Sequence, residues 1–161
     1  MIRERDETLL RAAIALSAQA RAAGNEPYGA LLADAEGRVL LEAMNTQHTA
    51  RDCTGHAELN LMRDASPRLT REQLAKSTVY ASGEPCPMCA GAIYWGGVGR
   101  VVFGLSIESM TALGGAQVPP LAGGIRLDLV ATEPPDDEVL AVGVREVPAR
   151  DRGARPHGHR L

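Results

Sequence analysis

Two short segments of the sequence carry side chains that bind metals and move protons. They are His56-Ala57-Glu58 and, thirty residues later, Pro85-Cys86-Pro87-Met88-Cys89. Two cysteines three positions apart at a helix start lie on one side of the helix, because three residues advance it by about 300°. The proline between them suits a first helical turn, and the helix N-terminus favours thiolates. The spacing therefore predicts three zinc ligands: His56, Cys86 and Cys89.

One imidazole and two thiolates leave the fourth position of a tetrahedral zinc site open, which is typical of catalytic zinc. Glu58 follows His56 by two residues, which is about 200° in a regular helix. We therefore predict that His56 is the N-cap, so that both side chains face the metal. Zinc lowers the pKa of bound water to about 7, and a nearby carboxylate can pass the proton to a leaving nitrogen. This chemistry is hydrolytic deamination, in which zinc-bound hydroxide attacks and ammonia leaves.

The hydrophobic pattern predicts the elements that position these residues. Helical spacing of apolar residues predicts helices over Thr8 to Ala23, His56 to Ala65 and Cys86 to Trp95. Apolar runs predict strands over Tyr28 to Ala33, Arg38 to Ala43, Ser77 to Ser82 and Arg100 to Gly104. The first two strands form a hairpin, and a loop is expected from Asn45 to Gly55. Strands joined through helices predict an α/β fold with helices on both faces of a mixed sheet.

Further elements are expected beyond this core. The sequence indicates a helical turn near Ile107 to Leu113, strands near Ile125 to Ala131 and Val139 to Val147, and a flexible tail over 149–161. A chain of 161 residues is then one domain, residues 1–148, followed by that tail.

Composition narrows the class of protein. The net charge of −3 offers no broad basic surface for nucleic acid, and no apolar stretch approaches the roughly 20 residues of a membrane span. Three cysteines, two of them closely spaced, favour a reducing cytoplasm over a secreted disulfide framework.

The combination of His-x-Glu with Pro-Cys-x-x-Cys is the signature of zinc base deaminases. From about Leu9 to about Gly104 the sequence resembles the cytidine and deoxycytidylate deaminase superfamily. The resemblance implies a three-layer α/β/α sandwich around a mixed five-stranded sheet, and a homodimer or larger homo-oligomer. It also implies zinc on His56, Cys86 and Cys89, with Glu58 as the general acid and base.

The segment from Glu84 to Trp95 resembles the small zinc-dependent guanine deaminases, in which Ile-Tyr-Trp follows the second cysteine. This resemblance implies that the substrate is a small molecule, a free nucleobase such as a guanine-like amino-purine. It further implies a set of substrate-binding residues: Tyr28, Asn45, Ala57, Ser82, Gly83, Glu84 and Trp95.

Alternative functions share part of this pattern. The tRNA adenosine deaminases also contain Cys-Ala-Gly-Ala and the strand Arg-Val-Val-Phe-Gly, although Tyr94-Trp95 fits them less well. Cytosine and amino-triazine rings are further substrate candidates. A non-enzymatic alternative is a structural zinc module in which Cys53 closes the site as a fourth ligand.

Overall fold

The computed structural model describes residues 4–114 and 143–145. Its helices are α1 (Glu4–Ala22), α2 (Gln47–Ala50), α3 (Ala57–Ala65), α4 (Arg71–Lys76), α5 (Pro87–Gly96) and α6 (Ile107–Gly114). Its strands are β1 (Gly29–Ala33), β2 (Val39–Met44), β3 (Thr78–Gly83), β4 (Arg100–Leu105) and β5 (Gly143–Arg145). Among the described helices, none is long and apolar enough to cross a bilayer.

The strands form one mixed sheet in the order β2-β1-β3-β4-β5. Strands β1 and β2 are an antiparallel hairpin, and β1 also pairs antiparallel with β3. Strands β3 and β4 are parallel, as expected for two strands connected through a helix, and β5 pairs antiparallel with β4. The predicted mixed five-stranded sheet is therefore confirmed.

Two apolar clusters fill the space on either side of the sheet, so the molecule has the predicted three layers. On one face α1 buries Leu10 and Ala13 against Leu31 and Val102 of the sheet. On the other face α3 and α5 pack against it through a larger cluster, which includes Leu32, Leu61, Val79, Ile93 and Phe103. Strand β1 is buried along its whole length because both clusters cover it.

The structure differs from the sequence prediction in short elements. The predicted loop from Asn45 to Gly55 contains the helix α2, because the buried Asn25 side chain accepts hydrogen bonds from the amides of His48 and Thr49. Helix α4 was not predicted, although Thr70 and Gln73 form a capping box at its start. Strand β5 lies within the strand predicted near Val139 to Val147, of which the structure describes residues 143–145. The strand near Ile125 to Ala131 and the tail lie outside the described residues.

Candidate metal centre

Two helix N-termini meet at the carboxyl end of β3. His56 is the N-cap of α3 with extended backbone angles (φ −71°, ψ 149°), and Cys86 is the N-cap of α5 (φ −65°, ψ 168°). Pro87 occupies the first turn of α5, where backbone N–H groups have no acceptor within the helix, so the absence of an N–H in proline costs no hydrogen bond. The predicted capping position of His56 is thus confirmed, and it directs His56 and Glu58 to the same side.

The three predicted ligand atoms lie together. The Sγ of Cys86 is 3.5 Å from Nδ1 of His56 and 3.6 Å from Sγ of Cys89. All three atoms lie within 4.8 Å of one another. Tetrahedral zinc with ordinary bond lengths holds two sulfurs about 3.8 Å apart, and a sulfur and a nitrogen about 3.6 Å apart. The donor set therefore fits zinc in both chemistry and spacing.

Glu58 reaches this group from the first turn of α3. Its Oε2 lies 3.6 Å from Sγ of Cys89, and the residue is only 5% exposed. Burial raises the pKa of the Glu58 carboxyl above its usual range. A buried carboxylate at this distance can exchange a proton with a group at the metal centre without being a ligand itself.

The two thiols are not equivalent. The hydrogen bond with Cys89, together with the one from the His56 imidazole, lowers the pKa of Cys86. Cys89 is fully buried, and its sulfur accepts from Cys86 and donates to Oε2 of Glu58. The hydrogen bond with Cys86 and burial raise the pKa of Cys89. Binding of a cation favours loss of the protons from these thiols, because thiolates are the form that ligates a metal.

Several of the predicted substrate-binding residues lie next to the metal ligands in the chain or contact residues that do. Ala57 is the first residue of α3 and is fully buried. The hydroxyl of Ser82 accepts a hydrogen bond from the Gly29 amide at 3.0 Å, which ties β3 to β1. Gly83 is the last residue of β3 and lies beside the ring of Tyr28. Burial raises the pKa of the Tyr28 hydroxyl most, and the charges of Glu26 and Glu58 raise it further.

The side chains of Asn45 and Glu84 form hydrogen bonds with residues outside the metal centre. Asn45 is fully buried, and its side chain donates to Oε1 of Gln47 at 2.7 Å and accepts from the Gln47 amide at 2.9 Å. The Glu84 carboxylate accepts a hydrogen bond from the amide of Ile107, the first residue of α6. Neither contact involves the metal ligands.

Trp95 and Cys53 lie away from this group. Trp95 follows Cys89 by six residues, about 9 Å along α5, and is 76% exposed beside Tyr94. Cys53 is exposed, and the part of the chain that the structure describes does not bring its thiol to the other ligand atoms. The fourth ligand of the structural-zinc alternative is thus not supplied by Cys53.

Two residues near the site were not predicted. Met110 of α6 contacts the hydroxyl of Tyr28 through its sulfur at 3.6 Å, and Gln47 holds the Asn45 amide. The Met110 contact joins residues 82 positions apart, so no local pattern indicates it. The Asn45-Thr46-Gln47 spacing is a usable signal for the second contact, because Asn side chains commonly accept from the amide two residues on.

A family model supplies the remaining evidence. The model for the cytidine and deoxycytidylate deaminase zinc-binding region matches residues 3–105, which include His56, Glu58, Cys86 and Cys89. The chain belongs to the cytidine and deoxycytidylate deaminase family. It is therefore a zinc-dependent deaminase, and its converging imidazole and thiols are suited to hold the zinc.

Similar proteins in this family act on different rings. A probable cytosine deaminase from Schizosaccharomyces pombe is 41% identical over 120 residues, covering 73% of this chain and 72% of that protein. A tRNA-specific adenosine deaminase from Haemophilus influenzae is 38% identical over 111 residues, 69% of this chain and 64% of the relative. The X-ray structure of guanine deaminase from Bacillus subtilis has a TM-score of 0.62 and 34% identity, covering 70% and 71% of the two chains. Family membership thus establishes the reaction class and not the substrate.

Proposed function

We propose that the protein hydrolytically deaminates a free nucleobase, with a guanine-like amino-purine as the first candidate. The observation that carries this proposal is the convergence of His56, Cys86 and Cys89 with a buried carboxylate 3.6 Å from Cys89. Zinc, when bound by these three side chains, supplies an acidified water and a Lewis acid. Glu58 would then be the group that accepts a proton at this centre and delivers it to the leaving nitrogen of the substrate.

Three of the predicted substrate-binding residues offer groups that are suited to hold a flat ring. Tyr28 lies beside Gly83 at the end of β3, and Ala57 lies at the N-terminus of α3. Asn45, held by Gln47, keeps one amide hydrogen and one oxygen lone pair beyond the two bonds to that residue. These groups supply donors, acceptors and an apolar contact for the edges and face of a base.

A guanine-like base is favoured by two observations. The run Ile93-Tyr94-Trp95 after the second cysteine resembles guanine deaminases, and the guanine deaminase structure from Bacillus subtilis superposes on this fold. The net charge of −3 favours a small molecule over a tRNA, whose recognition requires basic surface. Cytosine is the second candidate, favoured by the 41% identity with the probable cytosine deaminase.

We further propose a homodimer that uses the outer face of α3 and α5. A groove of about 410 Å³ lies there, lined by Leu59, Met62, Arg63, Ser66, Ala92, Trp95 and Gly96. The ring of Trp95 is 76% exposed at the edge of this groove, and the neighbouring Tyr94 is 63% exposed. Large aromatic side chains beside an apolar groove are typical of protein interfaces, and a second copy would cover both.

Ammonia release distinguishes the candidate substrates. The zinc-loaded protein is offered guanine, cytosine, adenine, the corresponding nucleosides and a tRNA at equal amino-group concentration. The proposal expects the highest kcat/KM with guanine and little release from nucleosides or tRNA. Release confined to tRNA would contradict a free-base substrate, and release from cytosine alone would replace guanine by the second candidate.

A further inference from the structure

The turn that precedes the zinc-binding cysteines is bonded to the start of α6. Oε2 of Glu84 accepts a hydrogen bond from the Ile107 amide at 2.8 Å, and the Glu84 amide donates to the Leu105 carbonyl at 2.8 Å. A carboxylate at the first N–H of a helix also interacts favourably with the helix dipole. The side chain of Glu84 therefore fixes where α6 begins relative to Cys86.

Helix α6 in turn places Met110 against the end of β3. The sulfur of Met110 lies 3.6 Å from the hydroxyl of Tyr28. A Cβ added to Gly83 would lie 3.3 Å from that sulfur and 3.3 Å from Cε1 of Tyr28. Gly83, Tyr28 and Met110 are thus in mutual contact, and a Cβ at position 83 would require the Met110 or Tyr28 side chain to shift by a few tenths of an ångström.

This contact borders the metal centre. Gly83 lies three residues before Cys86, and the ring of Tyr28 lies beside Gly83. A side chain on α6 is therefore part of the surroundings of the reacting groups, although α6 contributes no metal ligand.

We propose that Glu84 is a positioning residue that holds α6 as one wall of the substrate pocket, with the Met110–Tyr28 contact limiting the size of the ring. The inference rests on the proposed function of a base deaminase. The Glu84 carboxylate acts through the Ile107 amide and Met110, because its oxygen is already engaged by that amide. Met110 is the residue of this wall that meets the substrate.

Three variants separate this role from a general effect on folding. Glu84→Ala removes the hydrogen-bond acceptor, whereas Glu84→Gln retains an oxygen that can accept from the Ile107 amide. The matched control is Glu108→Ala, which removes an exposed carboxylate from the first turn of α6. Hydrogen exchange over residues 105–114 should rise in Glu84→Ala and remain near the parent rate in the other two. Zinc content should equal that of the parent in all three.

Kinetics then test the pocket. With the base that the parent deaminates best, Glu84→Ala should raise KM about tenfold and change kcat by less than about threefold. The tenfold change corresponds to the free energy lost with one charge-assisted hydrogen bond. Glu84→Gln should restore most of the parent KM. Met110→Ala should shift the ratio of kcat/KM for guanine to that for cytosine about tenfold towards guanine, the larger ring, because it enlarges the pocket. Binding of guanine and cytosine to each variant in the Glu58→Gln background, measured by calorimetry, gives the same comparison without turnover.

The outcomes separate this inference from the proposed function. Unchanged exchange over α6 in Glu84→Ala would overturn the anchoring role. Raised exchange with unchanged KM and base affinity would overturn the pocket wall while leaving the deaminase intact. If the parent neither binds nor deaminates any base, the proposed function fails and the pocket wall with it, and the exchange data alone then decide whether Glu84 anchors α6.

Discussion

The Oε2 atom of Glu58 lies 3.6 Å from the Sγ atom of Cys89, and both residues are buried. Without metal the Cys89 thiol keeps its proton and donates to this carboxylate. Once a metal has displaced that proton, the carboxylate and the thiolate repel each other in this low-dielectric site unless a cation lies nearby. Zinc removes that conflict, since its charge offsets both groups. The close approach of Glu58 and Cys89 suits proton transfer, and the stability of this pair in its charged form depends on the metal.

Removal of zinc should therefore destabilise the fold. We expect chelation to lower the melting temperature by at least about 5 °C, because zinc binds the folded ligand set and the free energy of that binding is lost. The loss should be smaller in Glu58→Gln, whose neutral amide does not need the cation. Thermal unfolding with and without chelator measures both values, and an unchanged melting temperature on chelation would contradict this dependence.

The ligand set makes a separate prediction. Cys86→Ser and Cys89→Ser should each bind zinc far more weakly than the parent, because both sulfurs belong to the converging group. Cys53→Ser is the matched control, since its thiol is exposed and lies outside that group. Metal analysis after dialysis provides the test. Retention of zinc by Cys89→Ser combined with its loss in Cys53→Ser would show that the wrong cysteine had been assigned.

A pH-dependent contribution to stability comes from the opposite face of the sheet. The hydroxyl of Tyr80 donates to Asp6 at 2.6 Å, and Arg100 donates to both oxygens of the same carboxylate. Burial and the Asp6 hydrogen bond raise the pKa of Tyr80 from 10.0 to about 12. Because the folded value is the higher one, this contribution is complete below pH 10 and is lost as the pH rises towards 12.

Tyr80→Phe should accordingly lower the free energy of unfolding by about 1.5–3 kcal/mol at neutral pH. The difference from the parent should shrink between about pH 10 and pH 12, the interval set by the two pKa values of Tyr80. Urea unfolding across that range measures it, with Tyr94→Phe as the exposed control. A difference that stays constant to the upper end of the range would refute the assigned linkage.

The sequence predicted the parts of this protein that depend on local pattern. Helical periodicity indicated α1, α3 and α5, and apolar runs indicated the first four strands. The spacing of His56 and Glu58 predicted an N-cap that the structure confirms. What it could not predict depends on contacts between distant residues. Helix α2 depends on the Asn25 side chain, and the contact of Met110 with Tyr28 joins residues 82 positions apart in the chain. The substrate roles of Asn45 and Trp95 stay predictions.

The exposed aromatic pair on α5 tests the proposed dimer. Trp95→Ala should weaken self-association by about 2 kcal/mol or more, as is usual for an interface tryptophan. Val39→Thr changes another exposed apolar residue on the edge strand β2 and should leave the oligomeric state unchanged. Sedimentation equilibrium of both variants and the parent gives the comparison. A parent that is monomeric at all concentrations would rule out the dimer.

The most direct test of the central claim compares ammonia release from guanine with zinc content in the parent and in Glu58→Gln. Removing a general acid and base typically costs about 10²–10⁴-fold in rate. We predict that Glu58→Gln binds as much zinc as the parent and releases ammonia at least about a hundredfold more slowly. Full activity in a zinc-loaded Glu58→Gln protein would contradict the assignment of Glu58 as the proton carrier, and with it the proposed mechanism.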